Sequence, residues 1–242
     1  MLLVFSCSSA NPEGNNTVAP GHGQFTQLLR EYVDGEGLVN YQGLLSDSIR
    51  LNDYLLQLES APPSPDWSRE EKLAYWLNAY NAYTLQLILR NYPVKSIKDI
   101  TKGPNIPYIN SPWDIKFIRI GSEELDLNNI EHGIIRKEFD EPRIHFALVC
   151  AAMSCPPLRR EAYTADELEE QLQDQAQVFL SNDSKNRLEG GTLYISKIFD
   201  WYKKDFKPEG VAGYIHQVMP EEADEDAEVA YLDYNWSLNE QK

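Results

Sequence analysis

The stretch from Ser68 to Arg90 constrains the fold more than any other. Ser68 followed three residues later by Glu71 is a capping box, and Pro93 marks where the helix must end. Between them Leu73, Trp76, Leu77, Tyr80, Leu87 and Ile88 fall on nearly every face of a helical wheel. Such a helix has no solvent side and predicts burial on more than one side. A chain of 242 residues, 42% hydrophobic and 25% charged, is long enough to supply the layers around it. Asn78 and Asn81 lie one turn apart on that buried surface. A buried amide left unpaired costs about 1–3 kcal/mol. The pair is therefore expected either to brace neighbouring backbone or to reach a substrate together with Trp76 and Tyr80.

The remaining elements are weaker signals arranged around this one. Apolar residues at 25, 28, 29 and 32 predict a helix, broken by Asp34-Gly35-Glu36-Gly37. Residues 41–59 predict a second amphipathic helix, stopped by Pro62-Pro63-Ser64-Pro65. The proline-bearing stretch 94–112 reads as an ordered loop, and 113–120 as a strand. Asn128 and Glu131 form a second capping box for a helix to about Phe139. Pro142 then precedes an apolar run over 143–149 that reads as a strand. Thr164 and Glu167 mark a helix to about Leu180, and Gly190-Gly191 a hairpin over 187–195. Ser196 caps a short aromatic helix, and 210–219 reads as another helix. Residues 220–228 are an acidic loop, and the aromatic stretch 230–239 is expected to dock back on the domain. No repeat or composition break appears after about residue 24. The expected architecture is α+β, a helix-rich single domain over 25–242 packed on a small sheet that includes 143–149.

Charge narrows the partners. Lys and Arg number 22 against 38 Asp and Glu, a net charge of −16, which repels phosphate backbones and argues against nucleic acid. No stretch approaches the ~18–20 apolar residues of a bilayer span. Residues 1–10 run apolar and then turn small and polar at Ser6-Cys7-Ser8-Ser9. That order resembles a bacterial lipoprotein signal with Cys7 as the lipid-bearing residue, although Phe5 is bulky where such signals carry small side chains. Residues 1–24 are accordingly expected to be signal-like and linker sequence. The membrane is expected to be met through this anchor alone, in the bacterial cell envelope, facing outside the cytoplasm.

The chemistry concentrates in residues 131–155. His132 and His145 are half of the four histidines, and Cys150 and Cys155 are two of the three cysteines. On a strand, His145, Ala147 and Val149 would share one face and Cys150 the other. Cys155 lies beyond, in a turn before Pro156-Pro157, free to return toward either face. A thiolate there needs a histidine, a positive charge or a helix N-terminus to lower its pKa. The expected catalytic set is Cys155 as nucleophile, His132 or His145 as base, and Glu131 or Asp126 orienting the imidazole. The competing reading is a Cys150–Cys155 disulfide, which a turn between them permits if the Cα atoms lie within about 7 Å. No metal motif is present, and neither a nucleotide-binding nor a nucleophile-elbow signature. No metal or cofactor is expected.

Several blocks then become familiar in order: Tyr75-Trp76-Leu77-Asn78-Ala79-Tyr80-Asn81, Ile130-Glu131-His132-Gly133-Ile134-Ile135-Arg136, His145-Phe146-Ala147-Leu148-Val149-Cys150, Ser154-Cys155-Pro156, Trp201-Tyr202-Lys203-Lys204-Asp205-Phe206 and Tyr234-Asn235-Trp236-Ser237-Leu238-Asn239. Over about residues 70–239 the chain resembles the family catalogued as domain of unknown function 547. The resemblance implies a shared fold, an exported bacterial setting and attention to Glu131, His132, His145 and Cys155, but no activity. Two functions follow as expectations. One is a Cys/His thiol hydrolase or acyl-transferase acting on an envelope substrate. The other is a non-catalytic envelope binding module with a groove lined by Trp76, Tyr80, Trp201 and Trp236. If Cys7 bears lipid, cells grown with an alkyne-tagged fatty acid should label the chain, and Cys7→Ser should abolish the label.

Overall fold

The computed structural model describes residues 18–101, 111–219 and 227–242. Cys7 and most of the N-terminal linker therefore lie outside the described residues, as do residues 102–110 of the 94–112 loop and most of the acidic loop. In chain order come α1 (Gly23–Tyr32), α2 (Tyr41–Ser46), α3 (Ser48–Ser60) and α4 (Arg69–Asn91). The hairpin β1 (Ile118–Ile120) and β2 (Glu123–Leu125) leads into a π-helix, Asn129–Ile135, continued by α5 (Arg136–Glu138). After α6 (Ile144–Ala147) and α7 (Leu168–Leu180) follow β3 (Arg187–Glu189), β4 (Thr192–Ile195), α8 (Ile198–Trp201), α9 (Gly210–Val218) and β5 (Glu228–Tyr231). The domain is α+β and helix-rich, with two small sheets.

At its centre is α4, buried on every face from Leu73 through Leu89. The capping box forms: the Ser68 hydroxyl accepts the Glu71 N–H at 3.0 Å, and the Glu71 carboxylate accepts the Ser68 N–H at 2.6 Å. One side of α4 packs against α3, with α1 behind it, and another against the π-helix. The expected single helix over 41–59 is two helices parted at Asp47. Asp47 leaves the helical conformation with φ at −113° and ψ at 23°, and its carboxylate accepts the Tyr32 hydroxyl at 3.1 Å and an Arg50 N–H at 2.6 Å.

The expected strand over 143–149 is absent. His145 N–H donates to Pro142 O at 3.2 Å, Phe146 N–H to Arg143 O at 3.0 Å and Leu148 N–H to Ile144 O at 2.9 Å. These are local turn bonds, and they wind α6 where a ladder was expected. The apolar run reflects burial on all sides, which composition alone does not distinguish from a strand. The expected strand over 113–120 shrinks likewise to the three residues of β1, behind a 3-10 turn at Pro112–Asp114. The Gly-Gly hairpin forms as expected, with φ of 60° at Gly190 and 84° at Gly191, and β5 pairs parallel to β4. Phe146, Phe179, Phe199 and Phe206 make a second, aromatic core between α6, α7 and α8.

Residues 148–163 cross the domain without a helix or strand, and α4 supplies partners at both ends. Asn81 accepts the Val149 N–H at 3.0 Å and donates to Ala147 O at 2.9 Å. Asn78 repeats the pattern with Tyr163, at 2.9 and 2.8 Å. The C-terminal stretch docks across the same region: the Tyr41 hydroxyl donates to Asn239 Oδ1 at 2.7 Å, and Ala152 bridges Leu238. Asn81→Ala would strand a buried N–H and a buried C=O. It should destabilise the domain by roughly 2–4 kcal/mol, measurable by urea unfolding.

Candidate functional site

The π-helix sets the site's geometry. Its start is capped by Asp126 and Asn129, each accepting the other's N–H, at 2.7 and 3.2 Å. The box expected from Asn128 and Glu131 does not form, because Glu131 is turned inward and buried. There its carboxylate accepts the Tyr202 hydroxyl at 2.6 Å and lies close to Tyr80. Burial first, and the Glu131 charge second, push both phenols well above the ordinary tyrosine range, so both remain donors. A widened turn of this kind re-aims side chains, and π-turns often occur at functional sites.

His132, the next residue, is half exposed. An Arg136 N–H meets its Nδ1 at 3.1 Å. Arginine only donates, so Nδ1 accepts and the neutral ring carries its proton on Nε2. The Glu131 carboxylate stands 3.8 Å from that same Nδ1, too far to orient the ring as an acyl-transfer triad requires. The expected role of Glu131 as orienter of an imidazole is thus replaced by a pairing with tyrosines.

The carboxylate that does orient a histidine is Asp205. Its Oδ2 lies 2.8 Å from His145 Nε2, while Arg136 grips both oxygens at 2.7 and 2.9 Å. His145 is buried, and its ring stacks on Tyr202 with centroids 3.9 Å apart. Burial lowers the His145 pKa against the pull of Asp205, leaving a neutral ring that donates from Nε2. The hydrogen bond from His145, then that from Arg136, holds the Asp205 carboxyl well below the usual carboxylate range.

Cys150 and Cys155 are joined in a disulfide with Cα atoms 6.1 Å apart. Cys155 therefore carries no thiol, which corrects the expectation of a nucleophile there. Ala151 turns the chain back between them with φ at +58°, the one positive φ outside glycine among the described residues. The Tyr234 hydroxyl lies 3.2 Å from both sulfurs.

These groups line a cleft of about 250 Å³. Glu131, His132, His145, Cys155 and Tyr80 all reach it, and so do Trp201 and Trp236. Asn78, Asn81 and Trp76 do not: the two amides are spent on backbone, and Trp76 packs edge-on against Tyr75. Trp113, Tyr202 and Tyr234 complete the walls. Asp205 and Arg136 brace the cleft from behind. Asp205, Tyr202 and Tyr234 stood in the familiar sequence blocks without being singled out. Their signal was an aromatic and acidic cluster on a short helix and a tail that had to dock.

Residues 64–180 match the family model described as "Protein of unknown function, DUF547". This segment is a DUF547 domain. The match is narrower than the resemblance over 70–239: it carries α4, the π-helix and the cysteine loop. The DUF547 segment thus supplies Tyr80, Glu131, His132, His145 and the disulfide, while Trp201, Tyr202, Asp205, Tyr234 and Trp236 come from beyond it. A search of the curated proteins found no match, and neither did a search of the solved structures.

A carboxyl with a depressed pKa contributes stability above the ordinary carboxylate pKa of about 4, and that contribution is lost as pH falls below it. Asp205→Asn should therefore lower Tm at pH 7. The gap to the parent should narrow as thermal melts are taken from pH 5 toward pH 2.5.

Proposed function

We propose that the protein is an exported, lipid-anchored binding module whose cleft takes a small ligand with a cationic or hydrogen-bond-donating group on an apolar body. The observation that carries this reading is a buried carboxylate, Glu131, bonded to the Tyr202 hydroxyl and walled by aromatic faces. The ring faces and the carboxylate both attract positive charge. Arg136, the nearby guanidinium, is committed to Asp205. Two rings already carry cations, Lys98 Nζ over Trp236 at 4.7 Å and Arg136 over Tyr202 at 5.1 Å. Trp201, 46% exposed, offers a free face at the rim.

The disulfide supports export, since such bonds persist in oxidising compartments. It also weighs against a Cys/His hydrolase, which needs Cys155 as a thiolate. The linker after Cys7 would tether the cleft near a membrane without any span; among the described residues no helix is long and apolar enough to cross one.

Titration of tryptophan fluorescence with benzylamine at pH 7 should give saturable quenching, and benzyl alcohol should bind more weakly. Trp201→Ala and Glu131→Gln should each weaken benzylamine binding by about 2- to 30-fold, the range of a cation–π contact. Equal affinity for amine and alcohol would overturn the reading.

A further inference from the structure

The disulfide is placed differently from a purely structural bridge. It spans only five positions, and cross-links closing short loops constrain the unfolded chain least. The loop is also held without it. Asn239 N–H donates to Ala151 O at 3.1 Å, Met153 N–H to Ser237 O at 2.8 Å and Ser154 N–H to Asn235 O at 3.2 Å. Lys185 donates to the Cys155 carbonyl. Opening the bridge would leave both cysteines near their present places.

The two sulfurs are not equivalent. Both line the cleft, but Cys150 is half-buried whereas Cys155 is only 3% exposed. The Cys150 N–H is aimed at Cys155 Sγ alone, at 2.9 Å, and the Tyr234 hydroxyl, 3.2 Å from each sulfur, can turn its one proton to Cys155 as that sulfur becomes the thiolate. Donors aimed at a sulfur stabilise its thiolate and make it the better leaving group. Burial raises the Tyr234 pKa, so the phenol keeps its proton to donate.

We propose that Cys150–Cys155 is a redox-active disulfide that exchanges with a small dithiol entering the cleft, with Cys150 as the attacked sulfur and Cys155 as the leaving thiolate. In the first step a substrate thiolate forms a bond to Cys150 Sγ, and the S–S bond breaks with its electron pair going to Cys155 Sγ. In the second step the other thiolate of the dithiol attacks the substrate sulfur of this mixed disulfide and displaces Cys150 Sγ. Two electrons pass to the protein, the dithiol leaves as a cyclic disulfide, and both cysteines take up protons from solvent. This activity goes beyond the binding reading and does not depend on the cleft's preference for cations.

The test uses the full folded chain. Brief exposure to glutathione, a monothiol that stalls after the first step, is followed by iodoacetamide trapping and peptide mass spectrometry, which also keeps Cys7 separate. Glutathione is expected on Cys150 and the alkyl group on Cys155. Adducts predominantly on Cys155 would overturn the assignment. So would a bridge that millimolar dithiothreitol opens only when the protein is denatured. Tyr234→Phe, with its fold checked by circular dichroism, should slow reduction by dithiothreitol roughly tenfold or more, the loss of one donor to a charged group. An unchanged rate would remove Tyr234 from the leaving-group role.

Discussion

Two amides on one helix hold the rest of the molecule in register. Asn78 and Asn81 each accept one backbone N–H and donate to one backbone C=O, at residues 163 and 147–149. An irregular segment can cross a protein interior only if its backbone groups find partners. The partners here are side chains of a helix that cannot move, because every face of it is buried. The same anchorage fixes the cysteine loop on one side and α6 with His145 on the other. Gly37 closes the arrangement: a Cβ there would stand 2.5–2.6 Å from Pro157 and the Leu158 nitrogen, so the loop lies directly on it.

On this frame the cleft separates two kinds of polar group. Behind it, Arg136 and Asp205 hold each other and His145, whose ring reaches the cleft and backs the Tyr202 ring. Within it, the Glu131 carboxyl lies among phenols and indoles, where the low local dielectric strengthens its interaction with whatever approaches. The C-terminal stretch supplies the remaining wall, with Tyr234 and Trp236 stacked beside Trp201. Binding and redox chemistry would therefore share one cavity, which both the disulfide and the carboxylate line.

The sequence was most legible where one interaction acts over a short range. The Ser68–Glu71 box, the Gly190-Gly191 turn and the all-round burial of α4 are local or compositional. Each is present in the structure. The run over 143–149 misled because complete burial selects the same apolar residues for a strand and for a buried turn. Glu131 misled in another way: its spacing from Asn128 fits a cap, but Asp126 and Asn129 perform the capping two residues earlier. Glu131, His132, His145 and Cys155 do converge on one cleft, as their clustering suggested. Asn78 and Asn81 took the bracing alternative instead.

By itself the sequence determined a helix-rich α+β domain built on one buried helix, and the stretch of chain that carries its reactive side chains. Those follow from periodicity, capping and composition, which are properties of neighbours along the chain. Only the tertiary structure decided that the cysteines are paired, that Asp205 and not Glu131 holds a histidine, and that tyrosines surround the buried carboxylate. Each of those is a contact between groups 5 to 71 residues apart whose outcome depends on which groups the fold brings within bonding distance. No local rule reports that distance.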